Sequence, residues 1–467
     1  MMAAAAQPDG RPEADAAGER AALFGLAWPL FVELLLGMSV GVVGLALAAH
    51  MSAAASGAFA LANNVQATFF LLLRIVSLGV SVAITQELGA GNRAMADASA
   101  RAALGASAWV GLATAALVAL GAGALLRLLS APAEVLPLAR PYLQVLGLAL
   151  GLDALNVSLA AVLRAHLRAR DVVRTILAMH AIHLALCVPL MYGAGAWPGL
   201  GLPGYALAMF AARAAGIVLY LRLWRQRLAL RPRTHDWWQW HGERLRPVLH
   251  IGLPGAGEGI AYRLALLVTF ALVARMGTTA LATHAYAMQL TYLIVLPGLA
   301  LGLATEILVG RHVGAGRLRA ADATVRRSLK WGLAIATGTA LTGALAAPWV
   351  LGLFTRDPAV RHAAQTLLWI SVVLEPGRLF NLVVINALRA AGDARFPVAA
   401  GVLSMFAVMA GGAWLLGVGC GLGLAGIWIA YAADEWLRGL VMLGRWRLRA
   451  WLPHARTAFR RVRRRAS

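Results

Sequence analysis

The chain is poor in negative charge. Only 20 aspartates and glutamates stand among its 467 residues, and charged residues of both signs make up 13%. A soluble chain carries about a quarter, so a water-facing globular surface is excluded for most of its length. Cysteine is nearly absent, at two residues. Cys187 and Cys420 fall in or beside apolar stretches with no CxxC spacing, which argues against a metal site or a disulfide framework. Lysine occurs once, at Lys330, with no glycine before it. No Walker A string exists, so nothing points to transport powered directly by ATP on this chain.

What is abundant is apolar. Hydrophobic residues make up 60%, and the mean hydropathy is +0.72. Runs long enough to span a bilayer fall near 22–48, 58–85, 102–129, 137–163, 173–195 and 203–223. A second set follows near 247–274, 281–310, 328–354, 363–389, 395–419 and 422–446. The first run is too long for a signal-peptide core and lacks a basic flank before it. Residues 1–20, with Arg11 and Arg20 against Asp9, Glu13, Asp15 and Glu19, read as a short disordered tail.

The net charge of +22 would suggest nucleic acid on a soluble domain, but its distribution decides otherwise. Arginines crowd every second loop: Arg93 and Arg101, Arg164 to Arg174, Arg222 to Arg246, Arg311 to Lys330, Arg389 and Arg395, and Arg445 to Arg465. The loops between them, near 50–56, 194–200 and 420, are almost uncharged. This alternation follows the positive-inside rule and predicts a multi-pass protein of the cytoplasmic membrane with both termini cytoplasmic. The basic C-terminal tail, 452–467, reads as an anchor on anionic lipid rather than a nucleic-acid site. The segment 224–246, with Trp237, Trp238 and Trp240 among basic residues, reads as an interfacial cytoplasmic linker.

The chain also repeats itself. Pro29 and Glu33 return as Pro254 and Glu258, with 254−29 = 258−33 = 225. The same offset carries Gly89-Ala90-Gly91 onto Gly314-Ala315-Gly316, and Leu163-Arg164 onto Leu388-Arg389. Beyond that pair it slips to 222, matching Asp171 with Asp393 and the Gly199–Gly204 string with Gly421–Gly426. The two GxGxxG strings sit in uncharged loops between spans rather than in a βαβ unit, so they read as tight turns and not dinucleotide sites. A duplicated half with an even number of spans inserts twice in the same orientation. The expected fold is an all-α polytopic membrane protein: twelve transmembrane helices as two six-helix parallel repeats, lobes 21–223 and 247–451.

Four carboxylates carry the chemistry. Glu33, Asp153, Glu258 and Glu375 fall near the middles of spans one, four, seven and ten. A charge at the bilayer centre costs roughly 2.5–3.5 kcal/mol, so each must face a cavity or a partner. A carboxylate that binds a proton or sodium and, alternatively, a cationic substrate is the minimal basis of antiport. Bland readings stand beside this one. Arg378 shares a helix face with Glu375, Arg74 is placed to neutralise Glu33, and Asp434, Glu435 and Arg438 read as a structural cluster. Glu258 and Asp153 have no arginine on their own face within one turn, which makes them the leading candidates. His180, His183 and His284 read as packed core histidines.

The proline-glutamate pattern of span one and Gln86-Glu-Leu-Gly-Ala-Gly-Asn92 after span two resemble the multidrug and toxic compound extrusion (MATE) family. So do Gly252-Leu-Pro-Gly-Ala-Gly-Glu258, Val309-Gly-Arg-His-Val-Gly-Ala-Gly316, and Glu375-Pro-Gly-Arg-Leu-Phe-Asn381 with Leu388-Arg-Ala-Ala-Gly-Asp393. The similarity runs from about Leu23 to Trp451. It implies a V-shaped pair of six-helix bundles opening a central cavity alternately to either side. It further implies export of amphiphilic, often cationic small molecules against inward sodium or proton flow, with the coupling ion in place of any cofactor and no enzymatic step. A monomer is expected. The sequence departs from the family at two places. The family's aspartate late in span one is here Gly44, and its aspartate in span ten is Arg378, while Asp153 holds the equivalent place in the first half. Coupling is then expected at Glu258 with Glu375, where sodium is conceivable, or at Asp153. The rival expectation is a flippase for lipid-linked oligosaccharide precursors, which would grip phosphate with arginines; Arg74, Arg213, Arg263 and Arg378 lie inside spans.

Overall fold

The computed structural model describes residues 12–195, 197–240 and 242–464. Within them the chain is helical throughout, without strands. The first lobe comprises α1 (Pro12–Met51), α2 (Ala53–Gly89), α3 (Arg93–Leu128), α4 (Leu136–Ala165), α5 (Ala169–Tyr192) and α6 (Leu202–Leu228). The second comprises α7 (Gly242–Arg275), α8 (Thr278–Gly314), α9 (Leu318–Phe354), α10 (Pro358–Ala390), α11 and α12 (Gly423–Arg447). Helix α11 is α-helical over Arg395–Ser404 and continues as π-helix over Met405–Ala410 and Ala413–Gly419. A final helix, α13 (Leu452–Arg464), follows. Among the described residues, ten helices are long and apolar enough to cross a membrane. Of the twelve lobe helices, α2 and α12 are not among them; in α12, Asp434, Glu435 and Arg438 interrupt the middle.

Helix ends follow local chemistry. Ser52 and Asn92 accept hydrogen bonds from the amides of Ala55 and Met95 and so cap α2 and α3, and Asp357 does the same ahead of Pro358 at α10. Both glycine strings are turns, as their setting implied. Gly199 and Gly201 have φ of 77° and 64°, and their repeat mates Gly421 and Gly423 have 70° and 57°. Gly204 and Gly426 each let one helix press on the backbone of its neighbour, at Leu190 and Leu416.

Among the described residues, the apolar clusters that join the lobes lie toward their arginine-rich ends. One apolar cluster joins Leu23, Leu26 and Leu30 of α1 to Ala300, Leu301 and Ile307 of α8. A second brings Val80 and Ile84 of α2 to Val248 of α7. Toward the charge-poor end the clusters stay inside one lobe, around Tyr142 and Tyr205 in the first and around Trp428 and Met409 in the second. On the seam itself the contact is reciprocal. A Cβ on Gly89 would overlap the carbonyl of Arg311, and a Cβ on Gly314 would overlap that of Gln86. Since 311−86 = 314−89 = 225, this is one contact made twice about a pseudo-twofold axis between α2 and α8.

Three sequence expectations change. Helix α1 begins at Pro12, inside the stretch expected to be a disordered tail, and residues 1–11 lie outside the described residues. The C-terminal tail is a helix with one buried face, Ala455, Ala458 and Val462. In the linker, a short turn at Thr234–Trp237 sends Trp237 inward against the first lobe, so only Trp238 and Trp240 are exposed.

Candidate functional site

Each of the four candidate carboxylates, Glu33, Asp153, Glu258 and Glu375, is held by an arginine, and one of these pairs recurs unchanged at the repeat offset. In the first lobe Arg164 of α4 donates to Glu33 of α1 at 2.6 Å. In the second, Arg389 of α10 donates to Glu258 of α7. Glutamate and arginine are both displaced by the same step, 258−33 = 389−164 = 225, so one ion pair has been duplicated with the fold.

A second duplicated pair has reversed its polarity. Asp153 on α4 is bound by Arg213 of α6 at 2.8 Å. The equivalent positions are 378 on α10 (153+225) and 435 on α12 (213+222), occupied by Arg378 and Glu435, which lie 3.2 Å apart. Asn156 and Asn381 accompany the pairs at equivalent places (156+225 = 381) and donate to the Arg213 carbonyl and to Glu435. An ion pair buried between helices needs opposite charges at the two positions but not a particular sign at either.

The second lobe adds three charges that the first does not have. Glu375 is bound by Arg378 at 2.7 Å, and Arg438 lies 2.7 Å from Asp434 and 3.0 Å from Glu435. Ser404 of α11 donates to Asp434 at 2.6 Å. Their counterparts in the first lobe, Leu150, Gly216 and Ala212, carry no charge. Side-chain exposure across the five charged groups runs from 1% to 14%.

Glu258 and Asp153, the leading candidates for want of an arginine on their own helix face, are nonetheless paired. Spacing along one helix registers only arginines on that helix, whereas Arg389 and Arg213 arrive from neighbours packed alongside. The signal for Arg164 and Arg389 was already in the repeated Leu-Arg pair, which recurs at the glutamates' own offset. Glu33 takes Arg164, and the side chain of Arg74 lies outside the described residues. The same-face pair Glu375–Arg378 is present, and it joins the Asp434, Glu435 and Arg438 cluster instead of standing apart. His183 and His284 pack edge-on against Tyr205 and Trp428, with ring centroids 4.7 and 5.2 Å apart. Arg263 donates to Asn64 at 2.6 Å across the lobes.

Gly44, where the resemblance expects an aspartate, has no room for any side chain. A Cβ there would overlap the rings of Phe59 and Tyr205, which pack edge to face at 5.2 Å. Aromatic packing fills the space.

The family model MatE matches residues 29–188 and again 254–415, two matches that begin 225 residues apart (254−29). The chain belongs to the MatE family. It is accordingly a multi-pass membrane transporter and not an enzyme. It is 34% identical to the uncharacterized transporter YisQ of Bacillus subtilis over 430 residues, covering 92% of this chain and 94% of YisQ. A probable multidrug resistance protein NorM of Thermotoga maritima is 24% identical over 448 residues, covering 94% and 95%. Among solved MatE-type folds, the Vibrio cholerae MATE transporter VcmN in its bent form superposes with a TM-score of 0.84 at 19% identity, covering 95% of this chain and 99% of that one. That likeness establishes the shared twelve-helix fold.

Proposed function

We propose that the chain is an ion-coupled antiporter that exports amphiphilic, often cationic small molecules across the cytoplasmic membrane by alternating access. The observation that carries the reading is the pairing of buried carboxylates with arginines in two lobes whose shared apolar packing lies toward one end. Each carboxylate sits between helices, so an ion or a cationic substrate that binds it must compete with an arginine, and the competition alters how those helices pack. Two ligands that draw on the same carboxylates in turn give exchange. The multidrug-resistance relatives support small-molecule cargo. With the arginine-rich end taken as cytoplasmic, the seam at Gly89 and Gly314 closes the lobes on each other at the cytoplasmic side.

Glu33, Asp153, Glu258 and Glu375 are the candidate cation and substrate positions, with a proton or sodium as the coupling ion. A lipid-linked oligosaccharide flippase is less well supported. Arg213 and Arg378, which would have to grip phosphate, are committed to carboxylates, and Arg263 to Asn64. Purified protein in liposomes, given sodium and proton gradients separately, tests the reading. A gradient of either ion should drive uptake of the cationic dye ethidium into the compartment from which that ion leaves. Dye movement indifferent to both gradients would defeat ion-coupled antiport.

A further inference from the structure

The charge count of the second lobe points to one residue and one ion. Three carboxylates, Glu375, Asp434 and Glu435, share two guanidiniums, those of Arg378 and Arg438. The first lobe has one of each, Asp153 and Arg213, and balances. With every group ionised, the cluster between α10 and α12 holds one negative charge in excess, in a region where an uncompensated charge is costly. A singly charged ligand removes the excess.

The donors are unevenly shared. Glu435 accepts from Arg378 and Asn381 and lies within 3.0 Å of Arg438. Asp434 accepts from Ser404 and from Arg438. Among the described residues, Glu375 accepts from Arg378 alone. It is the carboxylate least secured in the ionised form, and therefore the one that loses least on becoming neutral. The other titratable groups around it are Tyr262 of α7, which neighbours Arg378 and Glu435, and beyond it Tyr292 of α8 and Glu258 of α7 with its own Arg389. A second feature points the same way. Asn381 is 4% exposed and gives its amide hydrogen to Glu435, while its Oδ1 is buried without a donor. The cluster thus holds an acceptor that a proton-bearing group could fill. A metal cation would need several oxygens at once and would have to displace two guanidiniums, whereas a proton needs a single oxygen.

We propose that Glu375 is the proton carrier of this transporter: it binds one proton from the outward-open side and releases it toward the cytoplasm. This deepens the ion-coupled reading above and rests on it. Protonation leaves Arg378 held by Glu435 alone, so the proton is read out as a change in how α10 grips α12. No covalent step is involved. The first-lobe pair Asp153–Arg213 is then a structural relic of the same position, balanced and silent.

The test uses full-length protein in liposomes with ethidium as probe. For each proton exchanged, a gradient of one pH unit supports about tenfold accumulation. Glu375→Gln keeps a polar partner for Arg378 and balances the cluster. It should fold and lose the pH-driven accumulation together with the proton release on ethidium addition. Glu375→Asp should retain pH-driven accumulation. Should the amide variant fail to fold, Glu375→Leu copies Leu150 of the first lobe and makes the same prediction. Independently, wild-type protein in weakly buffered detergent should release about one proton per ethidium bound, as competition for a single site requires. Wild-type accumulation by a folded neutral variant overturns the proposal, as does dye binding without proton release. If only a sodium gradient drives the wild type, the proton assignment falls while ion coupling stands. If neither gradient does, the broader reading falls first.

Discussion

At the scale of single residues, the duplicated pair Glu258–Arg389 is where sequence reasoning and structure part most sharply. The glutamates were visible at once, because a carboxylate in an apolar span is conspicuous. Their partners were not, since helix packing brings together residues more than a hundred positions apart, and own-helix spacing carries no trace of it. Removing one partner of a buried pair leaves the other charged and alone, at roughly 3–5 kcal/mol. Arg389→Ala should therefore lower the melting temperature in detergent markedly, and Glu258→Gln with Arg389→Gln should recover most of the loss. A stable Arg389→Ala protein would mean that Glu258 is neutral or satisfied elsewhere. The aspartate missing at position 44 is a different case. The substitution itself is legible, but only the rings of Phe59 and Tyr205 explain that it cannot simply be reversed. Gly44→Asp should overpack the site, cost about 1–3 kcal/mol, and leave the ion dependence of transport unchanged. A stable variant with altered ion dependence would contradict the aromatic filling.

At the scale of elements, the long helices were legible from hydropathy, to within about five residues at most ends, because a span must be both long and apolar. Helices α1, α3 and α9 begin nine or ten residues earlier, at Pro12, Arg93 and Leu318, where polar residues precede the apolar run. Helix α13 was not legible. Its arginines dominated the composition, so the segment read as a charged tail, although Ala455, Ala458 and Val462 recur at three and four residues as one helix face requires. The packing gives that face a purpose. Ala455 and Ala458 join the cluster that contains Val313 of α8, while Val462 lines a small pocket together with Ala83 and Gln86 of α2 and Pro247 of α7. Arg456, Arg460 and Arg463 lie exposed on the opposite side. One short helix thus bridges both lobes across the arginine-rich seam. Val462→Asp buries an unpartnered polar group there, at about 1–3 kcal/mol. It should speed amide hydrogen exchange in α13 and at the end of α2, while the cluster around Tyr142 and Tyr205 exchanges as before. Uniform acceleration over the whole chain would show instead that the variant destabilises the fold generally.

For the whole molecule, the offset of 225 residues was the most informative feature of the sequence, and the structure turns it into geometry. Periodic prolines, glycines and glutamates become an axis, and the reciprocal contact at Gly89 and Gly314 lies on it. The polarity reversal between Asp153–Arg213 and Arg378–Glu435 was hidden, because a comparison of like residues discards positions where charges have exchanged places. The proposed orientation, with the arginine-rich end cytoplasmic, requires that reporters fused after Ser467 and inserted near His235 both read as cytoplasmic. A periplasmic signal at either would overturn the assignment. The axis makes a sharper demand. Since each seam glycine lies against a backbone carbonyl of the other lobe, Gly89→Ala and Gly314→Ala insert the same methyl into the same contact from opposite sides. Each should cost about 1–3 kcal/mol, and the cost falls only on the state closed at the arginine-rich end. A penalty of that size shifts a two-state balance by roughly five- to over a hundredfold. Both variants should therefore expose the arginine-rich seam, read as faster thiol labelling of Gln86→Cys in a background with Cys420 replaced, and by similar factors. Labelling that rises in one variant and not in the other would show that the two lobes do not close on each other symmetrically.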